Sequence, residues 1–322
     1  MTFEPKLELH LHLEGAAPPA FIRQLAAEKG IVLDGVFDAA GSYVYNDFEG
    51  FLKVYEAATQ VLRSPEDFAR LTTAVLEQSR AQGVIYTEAF LSPDFCGGRD
   101  LSAWRDYLAA IFEAAAAVDG IEMRGIVTCI RHFGPEAARE TARCAAETAG
   151  DVVTGFGMGG NEGLYRAADF APAFAAAGEA GLGLTSHAGE FGGPESVRET
   201  LDHLKVTRVG HGVRASEDPA LLRRIVDEGI HLEVCPGSNV VLGVYPKIDA
   251  HPVDMLRREG VPLSISTDDP PFFHTTLPQE YDTLAATFGW GTDDFRAVNR
   301  MAAEAAFCDE ATRAALLARL EP

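Results

Sequence analysis

Cysteine is scarce in this chain: five residues in 322, odd in number and nowhere spaced as CxxC. That pattern argues against a disulfide scaffold and fits reduced thiols in a cytoplasmic protein, packed as small core residues. No apolar run approaches the ~20 residues that a membrane-spanning helix needs. The opening MTFEPKLELH has no basic stretch ahead of an apolar core, so no signal peptide is expected. Positive charge is also short, with 27 Lys and Arg against 48 Asp and Glu and a formal net charge of −21. Phosphate backbones and anionic membranes are held by clustered Lys and Arg, so neither nucleic acid nor a membrane is an expected partner. The acidic excess reads as a solvated surface.

What remains is ordinary for a globular chain: 47% hydrophobic and 23% charged residues, enough to bury a large core. A prior of ~150 residues per domain would allow two domains. Composition shows no break, internal repeat or low-complexity linker, so residues 1–322 are expected to form one domain.

The organising stretch is KLELHLHLEG, Lys6–Gly15, where Leu7, Leu9, Leu11 and Leu13 alternate with Glu8, His10, His12 and Glu14. Alternation places His10 and His12 on one face of a strand, one pleat apart and within reach of a single metal ion. Further strand-like runs follow at Gly83–Leu91, Glu122–Ile130, Asp151–Gly160, Leu182–Glu190, Val206–Gly212, Ile230–Asn239 and Val261–Pro270. Between them lie helical stretches, three of them (Pro18–Gly30, Asp47–Leu62, Pro65–Gln82) in the first crossover, where they form an insertion able to cover a site. Eight apolar strands alternating with helices predict a parallel sheet closed as a (β/α)8 TIM barrel. An open doubly wound sheet would carry a Gly-rich phosphate turn after its first strand, and HLHLEGAAPP is not one.

Catalytic residues of such barrels sit at the C-terminal strand ends and on the loops that follow. Read at those positions, the chain offers His10, His12 and Glu14, then Gly159 and Gly160, then His187 and Glu190, His211, Cys235–Asn239, and finally Asp268 and Asp269. Three histidines and an aspartate make a zinc site with one position left for water, and zinc lowers the pKa of that water toward neutrality. No lysine stands at the fourth strand end to bridge a second ion, so one zinc per chain is expected. His211 is placed to assist the resulting hydroxide by taking its proton or orienting it, and Glu190, if shielded from water, to donate a proton. His132 and His231 read as structural, His274 as a surface-loop residue, and Phe48 and Phe51 as lid or core.

Together HLHLEG, SHAGE, RVGHG, LEVCPGSN and STDDPPFF resemble the adenosine deaminase family of the amidohydrolase superfamily, in order from Lys6 to about Tyr281. The resemblance implies a (β/α)8 barrel and one zinc ion held by His10, His12, His187 and Asp268. It implies hydrolytic deamination of a 6-aminopurine. Glu190 would protonate N1 and His211 would orient the hydroxide. Asp269 would hydrogen-bond N7, and the Gly160 N–H would reach N3. Glu14 stands where the family usually has a ribose-binding Asp. HLEG and the CPGSN segment are similar to adenine deaminases, whereas Gly160 is the nucleoside-type feature. The expected substrate is therefore adenosine, a small molecule. The alternatives are adenine, a modified aminopurine nucleoside, or the substrate of another mononuclear amidohydrolase. The H-x-E…P-C-x-x-C signature of the other zinc deaminases is absent.

Overall fold

The alternating KLELHLH run forms the first strand, β1 (Lys6–His12), buried on both faces in this computed structural model, which describes residues 5–321. Leu7 and Leu9 pack outward with Ala302, Ala303 and Leu316 of the C-terminal helices. Seven more strands follow around the sheet in chain order: β2 (Val84–Leu91), β3 (Glu122–Ile130), β4 (Val153–Gly159), β5 (Gly183–Ala188), β6 (Arg208–His211), β7 (His231–Val234) and β8 (Leu263–Ile265). Every neighbouring pair from β1·β2 to β7·β8 is parallel.

The ring closes where β1 meets the segment after β8. Leu11 and Asp268 form a parallel bridge there. The His12 N–H donates to the Asp268 carbonyl at 3.1 Å, and the Asp268 N–H donates to the His10 carbonyl at 3.1 Å. The Glu8 carboxylate adds a third tie by accepting the Thr267 N–H at 2.9 Å. The expected (β/α)8 barrel is the observed one.

Helices α1 (Pro19–Lys29), α2 (Phe48–Thr59) and α3 (Pro65–Ala81) occupy the first crossover, as the periodicity predicts. The Asp47 carboxylate caps α2 on the Gly50 N–H, and Ser64 caps α3 ahead of Pro65, the pairing of polar N-cap and first-turn proline that starts helices. The later crossovers carry α4 (Leu101–Ala116), α5 (Gly134–Ala146), α6 (Ala171–Glu179), α7 (Pro194–Leu204), α8 (Pro219–Glu228), α9 (Pro236–Val241) and α10 (Val253–Arg258). Three helices close the described chain: α11 (Leu277–Phe288), α12 (Thr292–Ala305) and α13 (Glu310–Arg319).

Two strand expectations need correction. The run Ile230–Asn239 stops being strand at Val234, because Pro236 opens the short helix α9. A proline ring fixes φ for a first helical turn and removes a ladder donor. Likewise Val261–Pro270 contributes only Leu263–Ile265 as strand, and the STDD segment turns toward the barrel mouth with Asp268 at φ +68°. All five cysteines are free thiols, four of them buried. Among the described residues, no helix is long and apolar enough to cross a membrane.

Candidate active site

His10 and His12 of β1 point into the barrel with His187 of β5, and Asp268 comes to them across the closing seam. Two of the rings have a fixed tautomer. His10 Nδ1 lies 2.7 Å from a Glu233 carboxylate oxygen, and His187 Nδ1 donates to the Met158 carbonyl at 2.8 Å. Both Nε2 atoms are therefore left with lone pairs turned inward. His12 Nε2 lies 3.2 Å from His187 Nε2 and 3.3 Å from Asp268 Oδ1, and His10 Nε2 lies 3.4 Å from the same oxygen. Bonds of ~2.0–2.1 Å to one ion separate neighbouring donors by about 3.3 Å, the spacing seen. The buried His10 Nε2 has no hydrogen-bond partner, which a cation would satisfy. A nitrogen-rich set with a single carboxylate suits zinc. Gly210 on β6 makes the crowding possible, since a Cβ there would lie 2.9 Å from His10 Cε1 and 3.2 Å from His187 Nδ1.

Beneath the imidazoles runs a buried ionic chain. Arg208 Nε donates to Glu233 at 2.7 Å and its Nη1 to Glu88 at 2.6 Å, all three side chains being inaccessible to solvent. The guanidinium also stacks 3.7 Å from the Phe307 ring centroid and donates to the Ala305 carbonyl. Burial alone would raise the Glu233 pKa, but Arg208 and His10 outweigh it and hold it at about 2.

Glu190 follows β5 on a tight turn that Glu162 organises. The Glu162 carboxylate accepts the N–H groups of Gly189, Glu190, Phe191 and Gly192 and the Ser196 hydroxyl. Burial, reinforced by the Asp268 and Glu162 charges, keeps the Glu190 pKa well above the usual carboxylate range. His211, at φ +60°, lies 3.7 Å from Glu190 and 3.9 Å from Asp268 through Nε2. Its tautomer is set from a distance. The Val253 N–H donates to His251 Nδ1, so His251 Nε2 carries hydrogen toward Asn239 Oδ1 at 3.1 Å. The Asn239 amide nitrogen then donates to His211 Nδ1 at 3.2 Å and to Glu190 at 3.3 Å. That leaves the hydrogen of His211 on Nε2, and burial lowers the ring's pKa to about 3. Ser238, beside Asn239 on α9, donates to Asp268 Oδ2 at 2.7 Å.

Asp269 lies on the cavity wall with Oδ1 buried and unpartnered. Burial, then the charges of Asp268, Glu14 and Glu190, raises its pKa far above normal. It packs against Gly15, where a Cβ would fall 1.5 Å from Oδ1. Only glycine fits the last position of HLEG.

These groups line a cavity of about 80 Å³. His12, His187, Glu190, His211, Asp268 and Asp269 are at its polar end, with Gly159 and Gly160 on one wall. Phe48, Phe51, Leu52 and Tyr55 of α2 roof it, and the Phe48 ring meets Phe191 at 4.4 Å. Helix α2 of the insertion thus covers the cavity, with Phe48 in that cover and Phe51 both lining the cavity and belonging to the buried core.

The adenosine deaminase family model matches residues 5–322. The chain belongs to the adenosine deaminase family. An adenine deaminase from a Chelativorans species is 49% identical over 319 residues, covering 98% of each chain. Among solved structures, the adenine deaminase from Arthrobacter aurescens superposes with a TM-score of 0.89 at 28% identity, covering 98% of both chains. A zinc-bound amidohydrolase from Burkholderia ambifaria gives 0.87 at 28% identity, covering 99% of this chain and 90% of the other.

The chain is a hydrolytic deaminase, and its metal is zinc. The structure brings eight of the nine expected site residues of this deaminase into one cluster. The ninth, Glu14, is buried beside Asp269 and Tyr55 but is not on the cavity wall. His132, read as structural, lines the cavity instead, because β3 ends two residues before it and the turn Arg131–Phe133 carries it to the mouth. His231 is structural as expected, paired with Ser264, and exposed His274 lies outside the cavity. Glu162, Glu233 and Arg208 escaped the sequence reading. Glu233 had a signal: an acidic residue in a short, fully buried strand, two positions after His231.

Proposed function

We propose that this deaminase acts on the free base adenine and releases hypoxanthine and ammonia. The observation that carries the proposal is the small roofed cavity. The space of about 80 Å³ between the proposed metal ligands and the aromatic side chains of α2 suits a flat bicyclic base. Adenosine, the substrate expected from sequence, needs room for a ribose where α2 places Phe48, Phe51 and Tyr55. The likeness to adenine deaminases supports the same reading.

In the proposed roles, His10, His12, His187 and Asp268 hold the zinc. When bound there, zinc lowers the pKa of a water toward neutrality and so supplies the nucleophile. Glu190 keeps its proton at neutral pH and gives it to N1, drawing electron density from C6. The His211 Nε2–H points at the reacting region as a donor, so His211 orients the attacking water rather than taking its proton. Asp269 is held protonated, as needed to donate to the N7 lone pair, and the Gly160 N–H meets N3. Glu14 supports the Asp269 carboxyl from behind. After attack at C6, a proton passes to the exocyclic amine and ammonia leaves.

The test is kcat/KM for adenine, adenosine and 2′-deoxyadenosine measured side by side with zinc-loaded protein. Adenine is expected to lead by at least about a hundredfold, roughly 2.7 kcal/mol of discrimination. A nucleoside turned over as fast as adenine would overturn the proposal.

A further inference from the structure

Adenine offers three ring acceptors, N1, N3 and N7, and one ring donor, N9–H. In the pose proposed above, Glu190, the Gly160 N–H and Asp269 answer the acceptors, and nothing yet answers the donor. With C6 at the metal ligands, N9 lies at the opposite end of the bicycle, toward the roof. Two polar side chains line the cavity there, Glu56 on α2 and His132 just past β3.

Their arrangement is directional. His132 Nδ1 accepts the Asn161 N–H at 3.3 Å, which places the ring hydrogen on Nε2, and Nε2 faces Glu56 Oε1 at 3.8 Å. The same Nδ1 lies 2.8 Å from where a Cβ on Gly160 would stand. His132 is therefore packed against the backbone assigned to N3, and N3 and N9 share one ring carbon. The pair sits at the corner of the base that differs between adenine and its nucleosides.

We infer that Glu56 accepts the N9–H of the free base and that His132 is the positioning residue aiming its carboxylate. The inference rests on the adenine reading and deepens it. The pair then selects by chemistry as well as by space: an N9-substituted purine brings no hydrogen and leaves a carboxylate unpaired against it, a penalty on the wrong substrate added to a gain on the right one. His132 Nε2 faces the Glu56 carboxylate at 3.8 Å, and Glu56 itself is half exposed, free to swing onto a bound base.

The experiment compares adenine with 9-methyladenine, which retains N1, N3, N7 and the amino group and loses only the N9 hydrogen. Zinc-loaded wild type, Glu56→Gln, Glu56→Ala and His132→Phe are assayed for both, with Tm measured in parallel. Wild type is expected to favour adenine by about 10- to 150-fold, the range of a hydrogen bond to a charged group. Glu56→Ala lowers kcat/KM for adenine, mainly through KM, and raises it for 9-methyladenine by relieving the unpaired carboxylate, so that the preference collapses. Glu56→Gln, whose amide oxygen still accepts, and His132→Phe fall between. Variants that keep the wild-type preference, or lose both substrates equally at unchanged Tm, overturn the inference while the adenine reading stands. A wild type that turns over neither purine removes the adenine reading, and the inference with it.

Discussion

His251 Nε2 lies 3.1 Å from Asn239 Oδ1, and this contact decides which way the Asn239 amide faces. Its nitrogen end is thereby turned toward both His211 and Glu190. Removing the contact frees the amide to rotate and present oxygen to His211 Nδ1. His251→Phe is therefore expected to lower kcat about tenfold, near 1.4 kcal/mol, with zinc stoichiometry unchanged. Steady-state kinetics beside metal analysis check this, and an unaltered kcat would show that Asn239 holds itself in place.

Glu190→Gln keeps the shape of the side chain and removes the transferable proton. A loss of 10²- to 10⁴-fold in kcat is expected at full zinc occupancy, the usual contribution of a general acid. The wild type carries a matching pH signature. Burial raises the pKa of both Glu190 and Asp269, in the direction their proposed proton-donating roles require, so kcat/KM should decline as alkaline pH strips them. A rate profile that instead rises through that range would contradict both assignments.

Arg208 touches no metal ligand, yet it holds the carboxylate that holds His10. Arg208→Gln leaves Glu88 and Glu233 buried without their cation, and Arg208→Lys cannot span both. Zinc affinity, measured by competition with a chelator, is expected to weaken about 10- to 100-fold in either variant. Affinity equal to wild type would mean that Glu233 keeps its orientation unaided.

Glu280 is buried, accepts the Gly237 N–H and the Thr275 hydroxyl, and has its pKa raised by burial to about 7. Its folded pKa exceeds the unfolded value of 4.5, so the folded state retains a proton that the unfolded state releases. Stability on this account is fully present below about pH 4.5 and is lost as pH rises through about 7. Glu280→Gln abolishes the ionisation. The variant should gain on wild type by up to about 3 kcal/mol as pH goes from 5 to 8, at 1.36 kcal/mol per pKa unit. Thermal melts across that interval test it; parallel curves would refute the assignment.

The barrel and the clustering of the proposed metal ligands were legible because both rest on short-range pattern. Alternation in KLELHLH put His10 and His12 on one face, and strand ends collected His187, His211 and Asp268. What stayed hidden depends on approach between distant segments. Glu56 and His132 meet only when α2 folds over the mouth, and nothing local to either residue signals the other. Arg208 and Glu88 are 120 positions apart. The LEVCPGSN run misled in a different way, since its apolar start continues a strand until Pro236 redirects it into α9. That turn is what presents Ser238 and Asn239 to Asp268 and His211.

The seam between the first and last strands has a consequence for how the enzyme comes into being. His10 and His12 leave the ribosome early, but Asp268, which bridges to their strand, follows more than 250 residues later. A polypeptide that stops short of Asp268 thus carries at most three of the four proposed zinc ligands and lacks the bridge that closes the barrel. Chains cut anywhere before Asp268 are therefore expected to lack deaminase activity.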